Sequence, residues 1–134
     1  VGLVGVVGAG GAHTPVAAEA AFVARVSGST AVRYDDVAGS RVRALLADPD
    51  RLPDVDCLVV VAGMDAALVA TLGALTDVPV VAVPTSAGQP AGLGGLGALM
   101  TMLTAAAPGV AVTNVDNGWS AGVFAARVAR RAAR

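Results

Sequence analysis

Five times along this chain a short apolar, often β-branched run gives way to glycine, proline and small polar residues, and then to a segment of helical period. The runs are Leu3 to Val7, Ala31 to Tyr34, Cys57 to Val61, Val80 to Val83 and Val110 to Thr113. Where such runs are continuous rather than alternating they read as strands buried on both faces, as in parallel sheets covered by helices. The helical segments follow in turn: Val16, Ala20 and Val23 after Thr14 as N-cap and Pro15 at the first helical position; Val37 to Leu46; Ala66 to Leu75; Leu96 to Leu103; and a last one opened by Trp119 or Ser120 and running through Val123, Phe124, Ala126 and Val128. The expected fold is α/β: a three-layer αβα domain over residues 1–134, with a mostly parallel five-stranded sheet of flavodoxin or Rossmann type and right-handed crossovers.

Charge narrows the partners. Only 14% of the 134 residues are charged, the net charge is -1, and all nine basic residues are arginine. This gives no electrostatic reason to expect nucleic acid or an acidic membrane surface as a partner. With 55% of the residues hydrophobic, too little charge is left to coat a monomer, which predicts a homo-oligomer with helix faces buried between subunits. No apolar run reaches the roughly 18 residues of a membrane span, and the glycine-rich opening segment lacks the basic leader of a signal peptide. One cysteine, Cys57, fits a reducing cytoplasm and, at the start of its strand, reads as an inert core thiol. There is no metal-ligand cluster, and no cofactor is expected.

The polar residues able to carry chemistry stand where strands end: His13 and Thr14 after the first, Asp65 after the third, Thr85 and Ser86 after the fourth, and Asn114, Asp116 and Asn117 after the fifth, with Gly11, Gly63, Met64 and Pro84 beside them as candidate substrate-binding positions. Strand ends converging on one sheet edge form a small-molecule site in α/β proteins. His13 is either a general acid or base or a capping, solvated residue. Asp65 is either its partner in proton transfer or a helix cap. Thr85 and Ser86 open onto the glycine loop of Gly88, Gly92, Gly94 and Gly95, where an anion anchor competes with plain turn chemistry. Asx turns account for some of Asn114, Asp116 and Asn117, and a ribose or subunit contact for the rest. Trp119 either stacks on a planar substrate or fills a subunit interface.

The segments Val59 to Leu68, Val80 to Ser86 with Gly94-Gly95-Leu96, Met102-Leu103 with Ala107 to Val112, and Asn114 to Gly118 with Ala121-Gly122 resemble one family: the nickel-pincer cofactor synthases (LarB-type pyridinium biscarboxylate mononucleotide synthases), in the superfamily of the phosphoribosylaminoimidazole (AIR) carboxylases. The resemblance implies a three-layer domain, commonly an octamer, that acts on a heteroaromatic ring attached to ribose phosphate. In the pincer family a nicotinate ring is carboxylated; in the purine relatives a carboxylate moves on an aminoimidazole ring. Members also carry a further N-terminal region, so the resemblance makes this sequence their catalytic domain.

The sequence departs from that pattern at reactive positions. Ala106 stands where the pincer family has an attacking cysteine, Ala12-His13 where it has Ser-Asp, Asp65 where it has glutamate, and Ala67 where the purine enzymes have histidine. The resulting expectation is a diverged enzyme of this superfamily working by non-covalent acid/base chemistry through His13 and Asp65 on a conjugated or heteroaromatic carboxylate. The alternatives are a catalytically inactive binding homologue and a Cys-to-Ala form of a true pincer synthase.

Overall fold

A computed structural model describes residues 1–134 except 38–39, 49, 51–53 and 88–89. Its strands are β1 (Leu3–Gly8), β2 (Thr30–Tyr34), β3 (Cys57–Ala62), β4 (Val80–Pro84) and β5 (Val110–Val112), and its helices α1 (Thr14–Val26), α2 (Ser40–Ala47), α3 (Ala67–Leu75), α4 (Leu96–Leu103) and α5 (Gly118–Ala132). Short 3-10 segments, Gly11–His13 and Pro90–Gly95, lead into α1 and α4. Every strand pairing is parallel and the sheet order is β2-β1-β3-β4-β5. The expected three-layer, flavodoxin-like α/β architecture is the one observed.

The period of two along the central strands sorts their side chains into two cores. Val4, Val6, Val59, Val61, Val81 and Val83 face α1 and α5. Val7, Leu58, Val60, Ala62, Val80 and Ala82 face the layer that holds α3, α4 and the apolar side of α2. All six side chains of β3 and all five of β4 are buried, which is why these runs are uninterruptedly apolar in sequence. The α1–α5 layer is built on small residues. A Cβ at Gly122 would lie 2.6 Å from the Ala20 carbonyl oxygen, so the two helices approach closely only because the residue is glycine. Opposite, α4 carries no charged residue and leaves Leu96, Met100 and Leu103 about half-exposed.

Several element boundaries differ from the sequence reading, three of them at helix starts near the strand ends. Thr14 is the first residue of α1 rather than its cap, and His13 occupies the cap position without a side-chain bond to the helix. The second helix begins at Ser40, not Val37, whose side chain is buried against the sheet. The last helix begins at Gly118, earlier than Trp119 or Ser120, because the Asn117 side chain accepts a hydrogen bond from the Ser120 N–H at 2.9 Å and caps it. Among the described residues no helix is long and apolar enough to cross a membrane.

Candidate functional site

In an open parallel sheet of this order the crossovers from β1 and β3 leave in opposite directions, and the crevice between their carboxyl ends is where ligands bind. His13 flanks that crevice on the β1 side and Asp65 on the β3 side. The Ala9 N–H still pairs with the Val61 carbonyl at 3.1 Å, extending the ladder one residue past β1. Gly10 then remains extended, and the Gly11–His13 turn closes with the His13 N–H on the Gly10 carbonyl at 3.1 Å. This turn folds the imidazole back over the sheet edge, where His13 is only 6% exposed.

Three side chains from three different junctions meet there. The Thr85 hydroxyl, after β4, lies 2.8 Å from Nδ1 of His13. On the far side of the ring, Nε2 of His13 lies 3.5 Å from Oδ1 of Asp65. That same carboxylate oxygen accepts a hydrogen bond from the Gly63 N–H at 3.1 Å. Asp65 therefore bonds backwards within its own turn and does not cap α3, whose cap position is held by Ala66. Exposure rises along the series: Thr85 is fully buried, the His13 side chain is 8% exposed and the Asp65 side chain 37%.

A hydroxyl, an imidazole and a carboxylate in line resemble a nucleophile triad, but the order of burial is the reverse of what that chemistry needs. An attacking hydroxyl must reach substrate; here the hydroxyl is the innermost group and the carboxylate the outermost. The arrangement is suited instead to passing a proton at its Asp65 end.

The neighbouring junction is held by a second carboxylate. Asp116 accepts hydrogen bonds from both the N–H (3.0 Å) and the hydroxyl of Ser86, and its own N–H donates to the Pro84 carbonyl at 2.8 Å. Its backbone is left-handed, φ 58°, a conformation that aspartate tolerates better than most side chains. Gly95, also left-handed, sits beneath this clamp: a Cβ there would come within 2.5 Å of Val115 and 3.3 Å of the Ser86 nitrogen. The anchoring donors expected at Thr85 and Ser86 are thus engaged within the protein, one by His13 and the other by an anion, Asp116.

The remaining candidates are dispersed. Gly11, Thr14, Met64 and Gly94 line the same edge as exposed residues, while Gly63 and Pro84 are buried strand-end backbone. Asn117 is used as the cap of α5, Asn114 is exposed, with its carbonyl accepting from the Asn117 N–H at 3.3 Å. Trp119 is 60% exposed on α5. Gly88 lies outside the described residues. Ala106 lies in the 104–109 connection that feeds the amino end of β5, where the Gly109 carbonyl accepts from the Val80 N–H. It is therefore separated from the His13 edge by the length of a strand, ~13 Å for five residues, and does not form a wall of this site within one subunit.

The sequence reading missed a charged group at the end of β2. Arg33 pairs with Asp35 at 3.0 Å, Arg41 donates to the Asp35 carbonyl at 2.9 Å, and Nε of Arg33 is buried without a hydrogen-bond partner among the described residues. The Val37 N–H bonds the Gly8 carbonyl, which brings this loop beside the first junction. The visible signal was the charged run directly after the second strand. Cys57 is fully buried at the opposite end of β3, and burial, reinforced by the Asp56 charge, pushes its thiol pKa up to about 12. Among the described residues no group of three or more His, Cys, Asp or Glu side chains is placed to hold a metal ion.

Comparison with known proteins agrees with this architecture. A solved flavone reductase superposes with a TM-score of 0.57 over 98% of this chain and 64% of its own, at 13% identity, a likeness of fold. An uncharacterized protein of Methanocaldococcus jannaschii is 39% identical over 132 residues, which is 97% of this chain but 50% of that protein, so the chain spans half the length of this relative. The AIR carboxylase family matches residues 39–133, a segment that contains Asp65, Thr85 and Asp116 and begins after His13. On that match, the chain belongs to the AIR carboxylase family.

Proposed function

We propose that this domain moves a carboxylate group on or off an electron-rich heteroaromatic ring by non-covalent acid/base chemistry, with Asp65 and His13 as the proton-transfer pair. The observation that carries the reading is the 3.5 Å approach of His13 Nε2 to Asp65 Oδ1 across the β1/β3 crevice, in a chain of a carboxylase family. In the carboxylating direction the ring carbon supplies the electron pair for the new bond to carbon dioxide, and the proton it sheds passes to the Asp65 carboxylate. In the reverse direction carbon dioxide leaves with cleavage of the C–C bond, and the electron pair left on the ring carbon takes up that proton.

The burial of the thiol narrows the ring. Attack on a pyridinium is best served by an exposed thiolate, whereas the single cysteine is buried with a raised pKa. An aminoimidazole-like ring needs no such attack because its own nitrogen lone pair activates the carbon. The pincer-type pyridinium substrate implied by the sequence resemblance is therefore the less supported of the two.

Incubation with ¹³C-bicarbonate and either aminoimidazole ribonucleotide or nicotinate adenine dinucleotide, read by mass spectrometry, tests this. Label is expected in the first and not in the second. His13→Ala is expected to lower incorporation about 100-fold or more, the usual range for one acid/base group, with the circular dichroism spectrum unchanged. Incorporation that survives that substitution overturns the assignment. Tight binding without incorporation makes the domain a binding module.

A further inference from the structure

We infer that Thr85 is a positioning residue whose buried hydroxyl locks His13 in a single tautomer, with the proton on Nε2. The inference rests on the acid/base reading of the site for its catalytic consequence, but not for its structural content. A neutral imidazole has one N–H and one lone pair, and what each nitrogen faces decides which carries the proton. Nε2 faces a carboxylate oxygen at 3.5 Å, which can only accept while ionised, so a lone pair there would meet a second lone pair. Nδ1 faces the Thr85 hydroxyl at 2.8 Å, which can donate or accept. With the proton on Nε2 the hydroxyl donates to Nδ1, and an N–H rather than a lone pair faces the Asp65 carboxylate.

Burial makes this a lock rather than a preference. Thr85 is fully exluded from solvent, and the Thr85 N–H is held by the Ala62 carbonyl at 3.0 Å at the end of the ladder between β3 and β4. A buried hydroxyl that failed to bond the ring would stand unsatisfied, at a cost that a solvent-exposed hydroxyl escapes. The three strand ends thus divide the work. Thr85 sets the ring, His13 presents Nε2–H, and the more accessible Asp65 carboxylate, oriented by the Gly63 N–H, is the group that takes or returns the proton. It also gives Thr85 a role other than the anion anchor its sequence context predicted.

The chain contains one histidine, so its ring nitrogens can be observed without assignment ambiguity when residues 1–134 are labelled with ¹⁵N-histidine. At alkaline pH the expected spectrum has a pyrrole-like Nε2 and a pyridine-like Nδ1. The reversed pattern overturns the proposal without reference to any substrate. In Thr85→Val the two nitrogens are expected to shift toward the averaged values of a freely exchanging ring, and Thr85→Ser is expected to restore the native pattern. An unchanged spectrum in a folded Thr85→Val protein also overturns the lock; should Thr85→Val fail to fold, the wild-type spectrum and the Ser variant still decide. With an active substrate in hand, Thr85→Val is expected to lower kcat about tenfold, the rate equivalent of one lost hydrogen bond, with KM within a factor of two. A native tautomer pattern in a protein that carboxylates neither ring would overturn the reaction assignment and leave the lock standing.

Discussion

The two edges of the sheet use polar side chains in opposite ways. At the amino edge a carboxylate serves the backbone: Asp56 Oδ2 accepts the Leu3 N–H at 2.7 Å and ties the start of β1 to the start of β3. Its neighbour Cys57 is sealed in the core. At the carboxyl edge carboxylates bind backbone N–H groups too, but each also meets a side chain from another junction, Asp65 with His13 and Asp116 with Ser86. Side chains that bond one another across separate junctions, at an edge where backbone pairing has ended, impose a geometry that the strands alone do not require. That contrast separates groups that tie down backbone from groups that meet across junctions at the candidate site.

The contrast is sharpest at Asp116, which both holds a loop and lies at the carboxyl edge. Asp116→Ala removes two acceptors for Ser86 and leaves a β-carbon in a left-handed backbone. The expected loss is about 2 kcal/mol, from exposed hydrogen bonds to a charged group and from the left-handed cost; for a chain of this size that is a melting temperature lower by about 7 °C. Asp116→Gly relieves the backbone term only, so it is expected to fall between Ala and wild type. Equal melting temperatures for all three proteins would mean that the clamp contributes nothing and that Asp116 is free to meet a ligand.

At the amino edge, Cys57 should affect only stability, and only at high pH. Its thiol is raised from an ordinary 9.0 to about 12 by burial and by the Asp56 charge, so the folded state holds the proton more tightly than the unfolded one. Its contribution is therefore fully present below pH 9 and is lost as pH rises toward 12, because the unfolded chain gains by ionising first. By pH 11 the loss is expected to be of order 2 kcal/mol. Urea unfolding of wild type and Cys57→Ala at pH 8 and pH 11 isolates it: the wild type should lose that amount relative to the variant. Parallel losses in the two proteins would show that the thiol is not buried as described.

How much of this was legible depended on whether the controlling contact was local. The continuous apolar runs of β3 and β4 announced strands buried on both faces, and their turn residues placed His13, Asp65 and Thr85 on one edge. Asn117 stands three residues before the amide it caps, yet the sequence reading groups it with the Asx-turn, ribose or subunit-contact residues. The bond between Thr85 and His13 joins residues 72 apart, and nothing in either one's neighbours says that the hydroxyl points inward to a ring rather than outward to a ligand. The start of α5 at Gly118 was obscured because glycine is a poor helix former; glycine stands there because a Cβ would lie 2.6 Å from the Val16 carbonyl of α1. Ala106 misled for a different reason. Motif resemblance grouped it with the site, while strand direction alone assigns every helix-to-strand connection to the amino edge.

That last point gives the smallest expected effect on stability and a direct way to break the comparison. Ala106 is exposed in the connection before β5, so Ala106→Cys is expected to change stability by no more than about 0.5 kcal/mol. The introduced thiol should react with a thiol reagent in the native protein while Cys57 reacts only on unfolding, giving one equivalent before denaturant and two after. If the two edges are functionally separate within a subunit, this variant forms no covalent adduct with nicotinate adenine dinucleotide and gains no carboxylation of it. An adduct mass on the introduced thiol would place the amino edge beside a bound ring, which the strand length forbids within one chain and which a neighbouring copy would have to supply.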